Sequence, residues 1–175
     1  ERCVRQFHVK EKKKIRALVD DICEHFKSHE FKYIRLWGEP RGRNRNEIDE
    51  DDIFTIMLKR FQHNEWMAEI MVPEKRATKG HKERFTFMEI VMDEEDPRLP
   101  RMRINAEACE NVIISMQGTD INADFQKKKD AEKDEGFPQE NAPHYGDTVD
   151  YYYYYKHAWR LTDDPNNRAG SATML

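Results

Sequence analysis

The strongest constraint on the fold is an alternation of two side-chain periodicities in the first part of the chain. Apolar residues recur at about every second position in 2–9, 32–37 and 65–72, which is typical of strands. Between these segments, 11–28 and 50–63 carry apolar residues at helical spacing. A strand–helix–strand–helix–strand order favours a sheet joined by right-handed crossovers. The sequence therefore predicts an α/β fold.

The rest of the chain predicts helices separated by polar segments. A basic stretch leads into a helix that carries Phe85, Met88 and Met92, and 101–105 is predicted to be extended. Shorter helices are predicted at 106–117 and 147–161, with a mobile polar excursion at 118–142 between them. Most of the five tyrosines Tyr151–Tyr155 are expected to pack in a core or an interface. Residues 1–161 are predicted to form one domain and 162–175 a disordered tail.

Charge and cysteine content exclude several classes of protein. Charged residues make up 37% of the 175 residues but the net charge is only −4, which excludes an overall basic coat for nucleic acid. No apolar run approaches the roughly 18 residues of a membrane helix, and no signal peptide is expected. Cys3, Cys23 and Cys109 are far apart and form no C-x-x-C, so a reducing, cytoplasmic setting without a disulfide framework is expected. The start at Glu1 suggests a piece of a longer protein.

Two acids stand at positions where catalytic groups are often found. Glu39 follows the strand 32–37, and open α/β sheets bind ligands at the carboxyl ends of their strands. Asp147 stands at the predicted start of the last helix, with His144 and Asp150 three residues to either side on the same face. The alternatives are a solvated turn acid for Glu39 and an ordinary helix cap for Asp147.

Acids from separate elements are what a nuclease needs to hold divalent metal ions. Mg²⁺ prefers carboxylate and water oxygens, and a two-metal nuclease places its ions roughly 3.5–4 Å apart at the scissile phosphate. If Glu39 and Asp147 share such a site, we expect their carboxyl groups to approach within about 8 Å.

The order of several motifs resembles the nuclease domain of tailed-bacteriophage terminase large subunits. The motifs are, in chain order, Tyr33 to Gly42, His81-Lys82-Glu83-Arg84, Arg103-Ile104-Asn105 with Cys109 downstream, and His144-Tyr145-Gly146-Asp147-Thr148-Val149-Asp150-Tyr151. The resemblance covers about residues 2–160. It implies an RNase H-like mixed β-sheet flanked by helices. It also implies a metal-dependent endonuclease that cuts concatemeric double-stranded DNA during packaging in the host cytoplasm.

The resemblance assigns roles to individual residues. Glu39 would be the second acid and Asp147 the third, both binding Mg²⁺ or Mn²⁺ in a two-metal site. Asp150 would be a further metal ligand, and His144 would lie near the metal or position water. The expected partners are DNA, the terminase ATPase domain, the small terminase subunit and the portal, with no membrane.

Three departures from the family pattern bear on activity. The family usually has Asp where this chain has Glu39, and no segment of 1–31 looks like the strand that carries the first acid. No Walker-type G-x-x-x-x-G-K-[ST] motif occurs either. The fold is therefore expected to be truncated at its N-terminal strands. The isolated segment is expected to cut DNA slowly or not at all.

Two basic loops are predicted to contact DNA phosphates. One follows Glu39 and the other follows the strand 65–72, and parallel strands would bring both loops to one sheet edge. Their residues, with the first residues of the next helix, are Arg41, Arg43, Arg45, Lys75, Arg76, Lys79 and Lys82. An ordinary solvated surface is the alternative. For the whole chain, another RNase H-like nuclease such as a junction resolvase, or a non-catalytic DNA-binding or docking module, remains open.

Overall fold

The computed structural model describes residues 1–7, 15–43, 51–72, 80–128 and 144–162. The chain divides into two compact units: a continuous unit, Phe7–Thr78, and a discontinuous unit, Glu1–Gln6 with Lys79–Leu175. Within the described ranges, no helix has the length and apolar character needed to cross a membrane.

The elements alternate between short strands and longer helices. In chain order they are β1 (Arg2–Cys3), α1 (Ile15–His25), β2 (Tyr33–Leu36), α2 (Ile53–His63), β3 (Met67–Ile70), α3 (His81–Asp93), β4 (Arg103–Ile104), α4 (Glu110–Gly118) and α5 (His144–His157). Short 3-10 helices cover Pro40–Arg43 and Ala158–Leu161. The mixed α/β class predicted from the sequence is confirmed.

The continuous unit is built as its periodicities predict. Strands β2 and β3 pair in parallel, from Tyr33 opposite Met67 to Leu36 opposite Ile70. Helix α2 begins where the Asp52 carboxylate accepts a 3.0 Å hydrogen bond from the backbone N–H of Thr55, which satisfies a donor that the helix itself leaves unpaired. The apolar faces of the helices and strands enclose one core, made of Val19, Cys23, Leu36, Phe54, Phe61, Trp66 and Val72.

The discontinuous unit joins the two ends of the described chain. Strand β1 pairs in parallel with β4, and the next residues continue toward α4. The backbone N–H of Gln6 donates to the Ala108 carbonyl at 3.1 Å, and the Gln6 side chain accepts from the N–H of Val112. Helices α3 and α5 enclose a separate core of Phe87, Met88, Val91, Tyr153 and Tyr154. The packing expected for the tyrosines is thus confirmed for these two.

The described strands form two separate two-stranded sheets rather than one larger sheet. The strand predicted at 2–9 is only Arg2–Cys3 among the described residues, because the chain then turns its polar groups toward α4. The helix predicted at 106–117 begins at Glu110, because the Asn105 side chain accepts the N–H groups of Glu107 and Ala108 in a turn. The RNase H-like arrangement stays a prediction.

The first part of the predicted mobile excursion forms a turn. Ile121 and Lys127 form an antiparallel bridge, and the Asn122 side chain accepts backbone N–H groups within the turn between them. The Phe125 ring lies 5.4 Å from the Phe85 ring of α3. An aromatic contact thus holds this turn against α3, and the mobility of the segment stays a prediction. Residues 129–142 lie outside the described residues, as does the predicted tail beyond Thr162.

Candidate functional site

Two carboxylates on successive turns of α5 surround one ammonium group. The Lys127 Nζ lies 2.7 Å from Asp150 Oδ2 and 3.4 Å from Asp147 Oδ1. The predicted spacing of three residues does place both acids on one helix face, since α5 runs from His144. All three side chains are largely shielded from water, with exposed fractions of 17% for Lys127, 21% for Asp147 and 15% for Asp150.

A glycine allows the lysine to approach the helix so closely. A Cβ atom on Gly146 would lie 2.9 Å from Lys127 Nζ and 3.2 Å from Ser115 Oγ. The backbone N–H of Gly146 donates to Ser115 Oγ at 2.9 Å, and Ser115 is fully buried in α4. The beginning of α5 is therefore held against α4, and the absent side chain at 146 leaves room for the ammonium group.

Burial and charge act in opposite directions on Asp150. Burial is the larger effect and raises the pKa of this carboxyl group, while the positive charges of Lys127 and Arg84 lower it. The nearby Asp147 carboxylate raises it further. The Arg84 guanidinium also lies 4.4 Å from the centre of the Tyr151 ring. The acid pair is thus surrounded by basic groups from α3 and from the 119–128 turn.

The acid pair fits a divalent ion only in part. Two carboxylates that already share one cation position can share Mg²⁺ or Mn²⁺ as oxygen ligands. His144 is exposed at the start of the same helix, one turn before Asp147. Among the described residues, however, no group of three or more His, Cys, Asp or Glu side chains could hold a metal ion. A two-ion site would need further ligands.

Glu39 lies in the continuous unit, beyond the carboxyl end of β2. Its carbonyl accepts the N–H of Gly42 at 2.9 Å within the Pro40–Arg43 turn. Its carboxylate lies 3.3 Å from the Arg41 guanidinium. The predicted position after a strand is confirmed. Since Asp147 belongs to the other unit, the approach of the two carboxyl groups to within about 8 Å stays a prediction.

The glycines around Glu39 have a packing role. A Cβ atom on Gly42 would lie 2.7 Å from the Phe54 ring, and one on Gly38 would lie 3.0 Å from it. Phe54 is buried in the core of the continuous unit. The two glycines therefore let the turn that carries Glu39 close over this aromatic side chain. This packing would require glycines here whether or not Glu39 binds a metal.

The described basic residues have contacts of their own. Arg43 donates two hydrogen bonds to the Val72 carbonyl, at 2.7 and 3.1 Å, and so links the turn to the chain beyond β3. Lys82 lies 5.5 Å from the centre of the Phe125 ring. Arg41 is mostly exposed beside Glu39. The other predicted phosphate contacts, Arg45, Lys75, Arg76 and Lys79, lie outside the described residues.

The sequence pattern does not identify Lys127, which contacts both acids, or Ser115, which holds the Gly146 backbone beside them. Lys127 lies in the predicted mobile segment beside Lys128 and Lys129, and nothing in the pattern distinguishes it from them. Ser115 is a single polar residue on a short predicted helix, and its position in the sequence does not indicate a contact with Gly146. A usable signal was Gly146 inside a predicted helix, since such a glycine often marks close packing.

Comparison of the chain with known protein families, with curated proteins and with solved structures finds no match.

Proposed function

We propose that this chain is a metal-dependent endonuclease domain of the terminase kind, which cleaves concatemeric double-stranded DNA during packaging in the host cytoplasm. The observation that supports this proposal is the pair of shielded carboxylates, Asp147 and Asp150, around the Lys127 ammonium group. Two such acids on one helix face can take up a hard divalent cation. The motif order seen in the sequence supports the choice of DNA as substrate.

In the proposed mechanism, Asp147 and Asp150 would hold Mg²⁺ or Mn²⁺, which would supply Lewis-acid chemistry at the scissile phosphate and for the attacking water. Lys127 balances the two negative charges before an ion enters. Arg84 and Lys82, on α3, supply positive charge for backbone phosphates, which position the duplex without reading its sequence. The ATPase domain, the small terminase subunit and the portal are the partners that the resemblance implies.

One observation favours a different class of function. Lys127 already neutralises the acids through two contacts, as a purely structural ion pair would do. This arrangement favours a non-catalytic DNA-binding or docking module of RNase H-like fold, in which the acid pair only joins the 119–128 turn to α5. A junction resolvase is the nearest alternative among enzymes.

A pair of lysine variants distinguishes the nuclease from the docking module. Lys127→Gln removes the internal cation, whereas Lys128→Gln removes a half-exposed neighbour that contacts Asp120 at 3.3 Å. If the acids bind metal, Lys127→Gln lowers the melting temperature without metal, and Mn²⁺ restores it by binding the folded state. Lys128→Gln should show neither effect. A melting temperature of Lys127→Gln that does not respond to millimolar Mn²⁺ would support the docking module.

Cleavage is tested on plasmid DNA, with the chain extended upstream through the predicted first acidic strand. Asp147→Ala should reduce the Mn²⁺-dependent rate by roughly 100-fold or more, since a metal ligand matters at least as much as the groups that orient it. Asp120→Ala, which removes an exposed acid, is the matched control. Undiminished cutting by Asp147→Ala would contradict the proposed site.

A further inference from the structure

Two cysteine thiols that are distant in sequence lie in contact within the discontinuous unit. The Cys3 Sγ is 3.4 Å from the Cys109 Sγ, although 106 positions separate the residues. The Cys109 thiol also lies 3.6 Å from the Cys3 carbonyl oxygen. Cys109 is fully buried at the residue that precedes α4, whereas Cys3 is partly exposed on β1.

The backbone around the two thiols holds them in this position. The Asn105 N–H donates to the Cys3 carbonyl at 2.9 Å, and the Gln6 N–H donates to the Ala108 carbonyl at 3.1 Å. Strand pairing places Cys3 opposite Ile104. The sulfur contact therefore follows from backbone hydrogen bonds on both sides of it, and a bond between the sulfurs would need only a small further approach.

We propose that Cys3 and Cys109 form a reversible disulfide that locks β1 to the start of α4 when a low-molecular-weight disulfide oxidises the protein. The Cys3 thiolate attacks one sulfur of the oxidant and releases one thiol. The Cys109 thiolate then attacks the Cys3 sulfur of the mixed disulfide and releases the second thiol. Both cysteine protons end on the released thiols, so two protein thiols are oxidised and one small disulfide is reduced.

The environment of Cys3 makes this reaction slow and dependent on pH. Burial, followed by the hydrogen bond and charge of Cys109, raises the pKa of the Cys3 thiol to about 12. Since the thiolate is the nucleophile, the rate should rise about tenfold per pH unit below that value. Oxidation of the pair should therefore be slow at neutral pH and faster at alkaline pH.

The lock would act on the helix that supports the acid pair. Cys109 immediately precedes α4, and Ser115 on α4 accepts the hydrogen bond from Gly146, next to Asp147. A covalent link at Cys109 should therefore reduce local opening of this region. Slower hydrogen exchange of the Val112 and Gly146 amides in the oxidised protein is the expected sign.

The test treats the folded chain with oxidised glutathione at about pH 9, where more of the thiol is ionised, and maps the products by mass spectrometry without reduction. Trypsin should give a linked pair of peptides, Cys3–Arg5 with Ile104–Lys127, that dithiothreitol separates. The melting temperature should rise on the order of 10 °C, because the link closes a long loop in the unfolded chain.

The third cysteine provides the matched control. Cys23 lies in the continuous unit, so Cys23→Ser should leave the linked peptides and the stabilisation unchanged. Cys3→Ser and Cys109→Ser should abolish both. The proposal is overturned if folded wild-type protein forms only mixed disulfides with glutathione. It is also overturned if the ratio of linked peptides to mixed disulfides is no higher in folded protein than in urea, since the contact would then give no advantage to the second attack. Both of these outcomes are measured on wild-type protein, so a folding defect in a serine variant does not affect them.

Discussion

The two compact units differ in how far apart in sequence their core residues lie. In the continuous unit, the core joins α1, β2, α2 and β3, which follow one another within Phe7–Thr78 and bury almost only apolar side chains. The discontinuous unit joins Glu1–Gln6 to Lys79–Leu175, and it buries Ser115 and His157 as well. Local periodicity therefore accounts for the continuous unit, whereas the discontinuous unit also depends on long-range polar contacts.

The largest loss of stability is expected when the central aromatic side chain of the continuous unit is removed. Phe61 is fully buried, so Phe61→Ala should lower the free energy of unfolding by about 3–5 kcal/mol through lost burial and an unfilled cavity. Phe31→Ala is the control, because this ring is 70% exposed and its loss should cost less than about 0.5 kcal/mol. Urea unfolding followed by the fluorescence of Trp66, whose ring lies 6.3 Å from that of Phe61, reports this unit. Equal effects of the two variants would contradict the assigned core.

The second largest effect is the loss of stability at low pH that a buried histidine of the discontinuous unit should cause. His157 is 4% exposed, and its Nε2 lies 3.3 Å from Glu1 Oε1, outside hydrogen-bond geometry, so the carboxylate only partly opposes the effect of burial. Burial lowers the pKa of this imidazole from 6.5 to about 4. The unfolded chain therefore takes up a proton at higher pH than the folded chain does, so stability is full above pH 6.5 and is lost as pH falls toward 4. The loss should reach about 3 kcal/mol.

A histidine variant isolates this contribution. His157→Gln should remove the loss between pH 6.5 and 4, measured by urea unfolding at several pH values with Trp159 fluorescence. His81→Gln, which changes an exposed histidine of the same unit, should keep it. Glu1 affects a different range: although burial alone would raise its pKa, hydrogen bonds from Lys156 and Tyr152 lower it to about 2. Its contribution is lost only below pH 4.5. An unchanged pH profile in His157→Gln would contradict the assignment.

The smallest effect concerns the packing of the turn that carries Glu39. Gly42→Ala places a methyl group 2.7 Å from the buried Phe54 ring, so it should destabilise the continuous unit by about 1–3 kcal/mol. Gly118→Ala meets no atom within 4 Å at the end of α4 and should stabilise its unit slightly, by less than about 1 kcal/mol. Thermal unfolding of both variants measures the difference. A neutral Gly42→Ala would mean that the glycine is not needed for packing.

Parts of the candidate site could be predicted from the sequence. Glu39 beyond a strand, and Asp147 with Asp150 on one helix face, followed from periodicity and spacing, because both are set by backbone geometry within a few residues. Lys127 could not be predicted, because its position depends on Phe125 contacting Phe85 forty residues away and on the space at Gly146. The contact of Cys3 with Cys109 could not be predicted for the same reason, since it depends on the pairing of β1 with β4.

The sequence by itself determined the positions of most helices and strands, the mixed α/β class and the apolar faces that form each core. These features depend on which side chains lie on one face of a helix or strand, which is a local property. Only the tertiary structure decided the division into two units, the ammonium group between the two acids and the pair of thiols. These depend on contacts between residues tens to more than a hundred positions apart, which form when packing and backbone hydrogen bonds outweigh the loss of chain entropy.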